Sequence, residues 1–169
     1  MGGKRKRPIK ATLKIVGEGQ ADAAFLNHLK SLYGVGNPKV TAKSAGGKGP
    51  DNVIGDAIGT LNSSCCDRVA ALLDTDIPWP KSKVKVAQQK KITLVRSKPC
   101  LEGLLLKILE KPVPANSDDC KKAFHPLLGG KETEKVSYEK PLPKTLLDAR
   151  RDDVEELDTL IKLISGKKK

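Results

Sequence analysis

Two rhythms of apolar positions take turns along the chain. The stretch "IKATLKIVGEG" (9–19) reads as a strand running into a glycine turn. "ADAAFLNHLKSLYG" follows, with Ala24, Phe25, Leu29, Leu32 and Tyr33 at helical spacing and Gly34 as a stop. "PKVTAKS" is a short second strand. "PDNVIGDAIGTLN" carries Val53, Ile54, Ile58 and Leu61 on one helical face, weakened by Gly55 and Gly59. "DRVAALLDTD" (67–76) is almost continuously apolar, as a central parallel strand covered on both faces should be. A lysine-rich stretch (81–91) leads to "KITLVRS", a fourth strand, and "CLEGLLLKILEK" is a helix halted by "PVPAN". Segments 111–118 and 129–144 read as loops. The end of the chain, "RRDDVEELDTLIKLIS", sets Val154, Leu157, Leu160, Ile161 and Ile164 on one face of a last helix whose acidic first turn suits the helix dipole. Strands alternating with helices predict an α/β fold on a parallel sheet with right-handed crossovers.

In such sheets ligands sit beyond the carboxyl ends of the strands. Three stretches fall there: "GEG" after the first strand, "DTD" after the third and "SKPC" after the fourth. Along an extended strand Asp74 and Asp76 would project to one side, at roughly 7 Å along the chain. Two carboxylates held so close repel, and without a cation one of them is driven to keep its proton. Magnesium resolves the conflict, because it takes one or two carboxylates and leaves positions for water and substrate phosphate. Glu18, between Gly17 and Gly19, supplies either a third oxygen or a general acid or base. Taken singly, the Asp74–Asp76 pair is equally a turn signal before "IPWP". "GEG" lacks the third glycine of a dinucleotide loop, and "AGGKGPD" has no Ser or Thr after Lys48 to make a P-loop.

Charge widens the picture. Thirty-two Lys and Arg against 20 Asp and Glu leave a net +12, which favours polyanionic partners. Only six of the 32 are arginine, which suits diffuse phosphate contact better than bidentate base reading. Lys43, Lys48, Lys81, Lys83 and Lys98 lie in or beside the strand-end segments, as phosphate contacts or as solvated surface charge. Aromatics make up 3% of the chain, with one tryptophan, Trp79, so stacking of bases on an aromatic platform is not expected. Cys65, Cys66, Cys100 and Cys120 form no CxxC pair, and reduced thiols are the expectation rather than zinc ligands. No apolar run approaches the roughly 20 residues of a membrane span. The basic start "MGGKRKRPIK" is followed by no hydrophobic signal core, so a cytoplasmic protein is expected. The expected organisation is a basic flexible tail (1–8), one domain (9–166) and a basic tail (167–169).

The order of these motifs resembles a Toprim-type catalytic fold, which carries a glutamate after its first strand and a D-x-D after its third. More narrowly, "EGQAD" resembles the "EGxTE" of the RloB-like family of Toprim-related proteins, with Glu18 in place and Asp22 standing for the second acid. "SKPCLEGLLL" resembles that family's "SNPCFELWLL" and supplies Ser97, Pro99, Cys100 and Glu102. Ala21, Lys98, Leu101 and Gly103 depart from the pattern. The resemblance covers about residues 10–110. It implies a small Toprim-like (Rossmannoid) three-layer sandwich with an extra C-terminal helix. It also implies a magnesium- or manganese-dependent nuclease acting on DNA or RNA in phage defence, as a monomer or homodimer or beside a separately encoded ATPase. Asp74 and Asp76 would hold one or two metal ions, with Glu18 as shared ligand or general base and Glu102 as a second-site ligand. Glu102 has an alternative role on the first turn of its helix, complementing the dipole. Ser97 would donate a hydrogen bond near the metal or cap the helix that starts near Pro99.

Two other functions fit parts of the pattern. One is a binding module that keeps the Toprim shell without cutting. The other is a haloacid-dehalogenase-like phosphatase, whose D-x-D normally comes earlier in the chain and is followed by a threonine or glycine rather than "IPW".

Overall fold

The computed structural model describes residues 9–63 and 65–167. Both expected basic tails lie outside these residues, apart from Lys167. Four strands, β1 (Thr12–Gly17), β2 (Lys39–Ser44), β3 (Arg68–Asp74) and β4 (Thr93–Ser97), form one sheet in the order β2-β1-β3-β4. Every neighbouring pair is parallel. Helices α1 (Gln20–Tyr33), α2 (Pro50–Asn62) and α3 (Lys81–Gln89) make the crossovers between successive strands. After β4 come α4 (Leu101–Ile108), α5 (Ser117–Phe124), α6 (Lys144–Arg150) and α7 (Glu155–Ser165), with short 3-10 turns at His125–Leu127 and Lys135–Tyr138. The protein is α/β, as the alternating rhythms predict.

Side chains of a strand point alternately to its two faces, and the core divides accordingly. Leu13, Ile15, Ala70, Leu72 and Val95 face one layer, packed with residues of α1, α4 and α7. Val16, Val69, Ala71 and Leu73 face the other, against Val53, Ile54 and Ala57 of α2 and Ala87 of α3. The result is three layers, with β1 and β3 at the centre. The apolar stripe read for the last helix holds: Val154, Leu157, Leu160, Ile161 and Ile164 are all fully buried. Gly166 ends α7 at φ 73°, where an added Cβ would sit 2.8 Å from the Asn37 carbonyl oxygen, so both conformation and space require glycine.

Three helices depart from the sequence reading. The lysine-rich stretch is α3, which buries only Ala87, so most of its surface carries no apolar stripe. Residues 117–124, at the end of one expected loop, are α5; Asn116 caps it by accepting a hydrogen bond from Asp119 N–H at 2.9 Å. The last helix begins at Glu155 rather than near Arg150, because Arg150 ends a separate helix, α6. Among the described residues no helix is long and apolar enough to cross a membrane.

Candidate functional site

The carboxyl edge of the sheet gathers acids from three separate stretches. Asp74 is the last residue of β3 and continues the parity of Ala70 and Leu72, so it belongs to the face covered by α1 and α4. That parity brings it towards Asp22 on the first turn of α1 and Glu102 on the first turn of α4. Glu18 lies in the turn between β1 and α1, and its Oε2 accepts a hydrogen bond from Asp74 N–H at 3.3 Å. Glycine at position 17 allows this crowding, since an added Cβ there would overlap the Asp22 side chain. The turn is tied down by Gly47 N–H donating to the Glu18 carbonyl at 2.8 Å.

Asp76 lies just beyond the strand, where its charge acts on both Asp74 and Glu18. β3 ends at Asp74, and residues 75–77 form a bend, so the alternation that would align the two aspartates stops between them. The bend is fixed by Thr75 N–H and Asp76 N–H donating to the Pro99 carbonyl at 2.9 and 3.1 Å. Asp76 is exposed, and its Oδ2 accepts from Ser117 Oγ at 2.7 Å. Residues 76 and 117 line a concavity of about 590 Å³ together with Thr75, Lys98 and Pro99.

The electrostatics bind these groups into one cluster. Burial pushes the Asp74 carboxyl up to about 8, and repulsion from Asp22, Glu18, Asp76 and Glu102 adds to it. Burial likewise raises Asp22 to about 7, partly offset by the Gly19 N–H that donates to its Oδ2 at 3.0 Å. Glu18 is raised chiefly by burial; the Asp74 N–H and the Lys121 ammonium act in the opposite sense. Asp22 and Glu102 are each only 6% exposed. Asp22 Oδ1, Asp74 Oδ1 and Ser97 Oγ are buried and have no hydrogen-bond partner. Buried polar atoms are normally satisfied, so three such orphans at one sheet edge mark a place where a partner group belongs.

The structure decides one local alternative and adds a contact to another. Ser97 is fully buried and caps nothing: α4 starts at Leu101 after Cys100, with no side-chain cap, and the Ser97 hydroxyl is left unpaired beside the cluster. Glu102 stands on the first turn of α4, and its Oε1 also shares a hydrogen bond of 3.1 Å with His125 Nε2. Gly103, a departure from the family pattern, is required here, because an added Cβ would collide with the Lys98 carbonyl and lie 2.6 Å from Pro99 Cδ.

The five lysines separate. Lys43 pairs with Asp56 at 2.9 Å and Lys83 with Asp51 at 2.8 Å, so both carry compensated charge. Lys48 is exposed in the loop after β2. Lys81 and Lys98 line a groove of about 690 Å³ with Thr75, Trp79, Lys85 and Arg96. Sequence reading missed Ser117 and Lys121, and weighed His125 only for its near-zinc spacing from Cys120; all three come from α5 and the turn after it, and the "NSDD" at 116–119, a helix cap followed by an acidic first turn, was the available signal.

Among the described residues no three His, Cys, Asp or Glu side chains already stand in metal-holding geometry. The chemistry of the donor set nevertheless fits a hard divalent cation: carboxylate oxygens, two of them orphaned, whose mutual repulsion a cation would relieve. Comparisons with protein-family models, with curated proteins and with solved structures found no match in any of the three.

Proposed function

We propose that the protein is a divalent-metal-dependent nuclease of Toprim-like design. The observation that carries this reading is the crowding of Glu18, Asp22, Asp74, Asp76 and Glu102, with Asp74 pushed up to about 8 and its Oδ1 left without a partner. Like charges are not brought together without compensation, and nucleic acid is the partner that a +12 chain attracts. Glu18, Asp74 and Asp76 would hold magnesium or manganese, with Glu102 at a second position; the ion supplies an activated water and stabilises charge on the phosphate oxygens. Ser117 orients Asp76, and His125 holds Glu102 in place. Lys121 places positive charge beside Glu18, where an incoming phosphate group adds negative charge. The phage-defence setting and a separately encoded ATPase partner rest on the resemblance alone.

A second reading is a non-cutting nucleic-acid-binding module, for which the described residues need hold no ready-made ligand trio. Cleavage assays on single- and double-stranded DNA and RNA, with magnesium or manganese against a chelator, separate the two. The nuclease reading expects metal-dependent cutting that Asp74→Asn abolishes while the fold is retained. Cutting that persists in Asp74→Asn overturns the metal assignment. Binding by a wild type that cuts nothing in either metal establishes the module.

A further inference from the structure

Beside the acid cluster lies the basic groove, and its chemistry is not that of the acid site. Its floor is apolar: Trp79, Pro78, Val84 and Ile77, which is 52% exposed despite its size. Its rim carries four cations, Lys81, Lys85, Arg96 and Lys98. None of the four has an ion-pair partner among the described residues, whereas Lys43, Lys83, Arg150 and Arg151 are each matched to a carboxylate. The Arg96 guanidinium instead lies 5.0 Å over the Trp79 ring. The first turn of α3 contains lysines and no acid, the reverse of what a helix dipole favours, and an anion bound there would offset both.

The groove is also physically continuous with the site. Trp79 Nε1–H donates to the Asp74 carbonyl at 2.8 Å, so the floor hangs from the same residue that anchors the acid cluster. Thr75 and Lys98 line both the groove and the concavity that contains Asp76 and Ser117. A chain whose phosphates follow the rim would reach the carboxylates without leaving the surface.

Uncompensated cations around an exposed apolar floor match one class of ligand best. A duplex hides its base faces and presents phosphate alone, whereas a single strand offers phosphates and unstacked bases together. We propose that this groove is the binding path for an unpaired single-stranded segment of nucleic acid, with its phosphates on Lys81, Lys85, Arg96 and Lys98 and its bases against Ile77, Pro78 and Trp79. The inference deepens the nuclease reading by naming a single-stranded region as the part of the substrate beside the acids, and its binding test does not depend on cutting.

Trp79 is the chain's one tryptophan, so fluorescence excited at the red edge, beyond tyrosine absorption, reports from this groove alone. The full-length protein, in chelator to prevent cutting, is titrated with oligothymidylate, with a blunt duplex of equal length and with inorganic polyphosphate. Oligothymidylate should quench Trp79 saturably and at least about tenfold more tightly than either competitor, because only a single strand offers unpaired bases to the apolar floor together with phosphates to the rim. Lys85→Ala combined with Lys98→Ala touches no ion pair, and should lower the slope of log affinity against log salt by about 1.4, two phosphate contacts on a single strand. Ile77→Ser, a neutral change on an exposed side chain, should weaken oligothymidylate while leaving polyphosphate little changed. Equal quenching by polyphosphate, equal quenching by duplex, or an unaltered salt slope in the double variant overturns the proposal. If quenching behaves as described but no substrate is cut in any metal, the nuclease reading fails and the groove assignment stands.

Discussion

Replacing Asp74 by asparagine should make the metal-free protein more stable near neutrality and flatten its dependence on pH. The cause is the environment already described: a carboxyl whose ordinary value is 3.8 is pushed up to about 8 by burial and by four neighbouring acids. In the unfolded chain Asp74 ionises near 3.8, while in the fold it keeps its proton to about pH 8. Its stabilising contribution is therefore complete below about pH 3.8 and is lost progressively as pH rises towards the folded value. One proton retained by the fold corresponds to ~1.4 kcal/mol per pH unit, so between about pH 5 and pH 7 this carboxyl removes ~3 kcal/mol of stability. Asp22, raised to about 7, acts with the same sign over much of that range. His28, lowered by burial, acts with the opposite sign, since the unfolded chain takes up its proton first as pH falls. Both groups remain in the variant, so the difference between wild type and Asp74→Asn is dominated by Asp74, with the coupled titration of Asp22 as the smaller part. Urea denaturation of the two proteins in chelator, at intervals from about pH 5 to pH 7, should show the variant gaining on wild type by ~1.4 kcal/mol per pH unit. Parallel stability curves would refute the claim that Asp74 sits protonated in an acid cluster.

Other expectations follow from the packing around that edge. Gly103→Ala should cost ~1–2 kcal/mol in urea denaturation, because overlap with the Lys98 carbonyl outweighs a gain in helix propensity of at most ~1 kcal/mol. Gly59→Ala, in α2 with open space around it, should have the opposite sign and stabilise by ~0.5–1 kcal/mol in the same assay. Leu72→Ala, at a fully buried position in the central strand, should cost ~2–5 kcal/mol. Lys121→Ala removes a cation that holds the Glu18 carboxyl down, so the acidic limb of any cutting activity should move to higher pH; an unmoved limb means that Lys121 does not act on Glu18.

Much of the architecture was legible because period-two and helical rhythms are enforced by burial. β3 had to be apolar on both sides, and Val69, Ala71 and Leu73 pack on one layer while Ala70 and Leu72 pack on the other. Where burial is slight the rhythm disappears: α3 commits one residue, Ala87, to the core, and its helix was invisible among lysines. α5 announced itself through its cap rather than its hydrophobic pattern, and with it went Ser117, Lys121 and His125. The meeting of Glu18 with Asp74 was readable from strand ends, as was the nearness of Asp22 and Glu102 from the motifs that contain them. The bend that carries Asp76 was not readable. Alternation along a strand says nothing about where the strand stops, and the Pro99 carbonyl that bends residues 75–77 comes from a distant part of the chain. Sequence likewise shows charge without its compensation, so Lys43 and Lys83 looked equivalent to Lys81 and Lys98 until their carboxylate partners appeared.

The odd–even alternation of β3 has an evolutionary corollary. Inserting or deleting one residue between Arg68 and Leu73 would rotate Asp74 to the α2–α3 side of the sheet, away from Asp22 and Glu102, while leaving composition and hydropathy almost unaltered. Descendants of this chain can therefore exchange one apolar side chain for another of similar size within the strand, but they cannot change its length by one and keep the acids together.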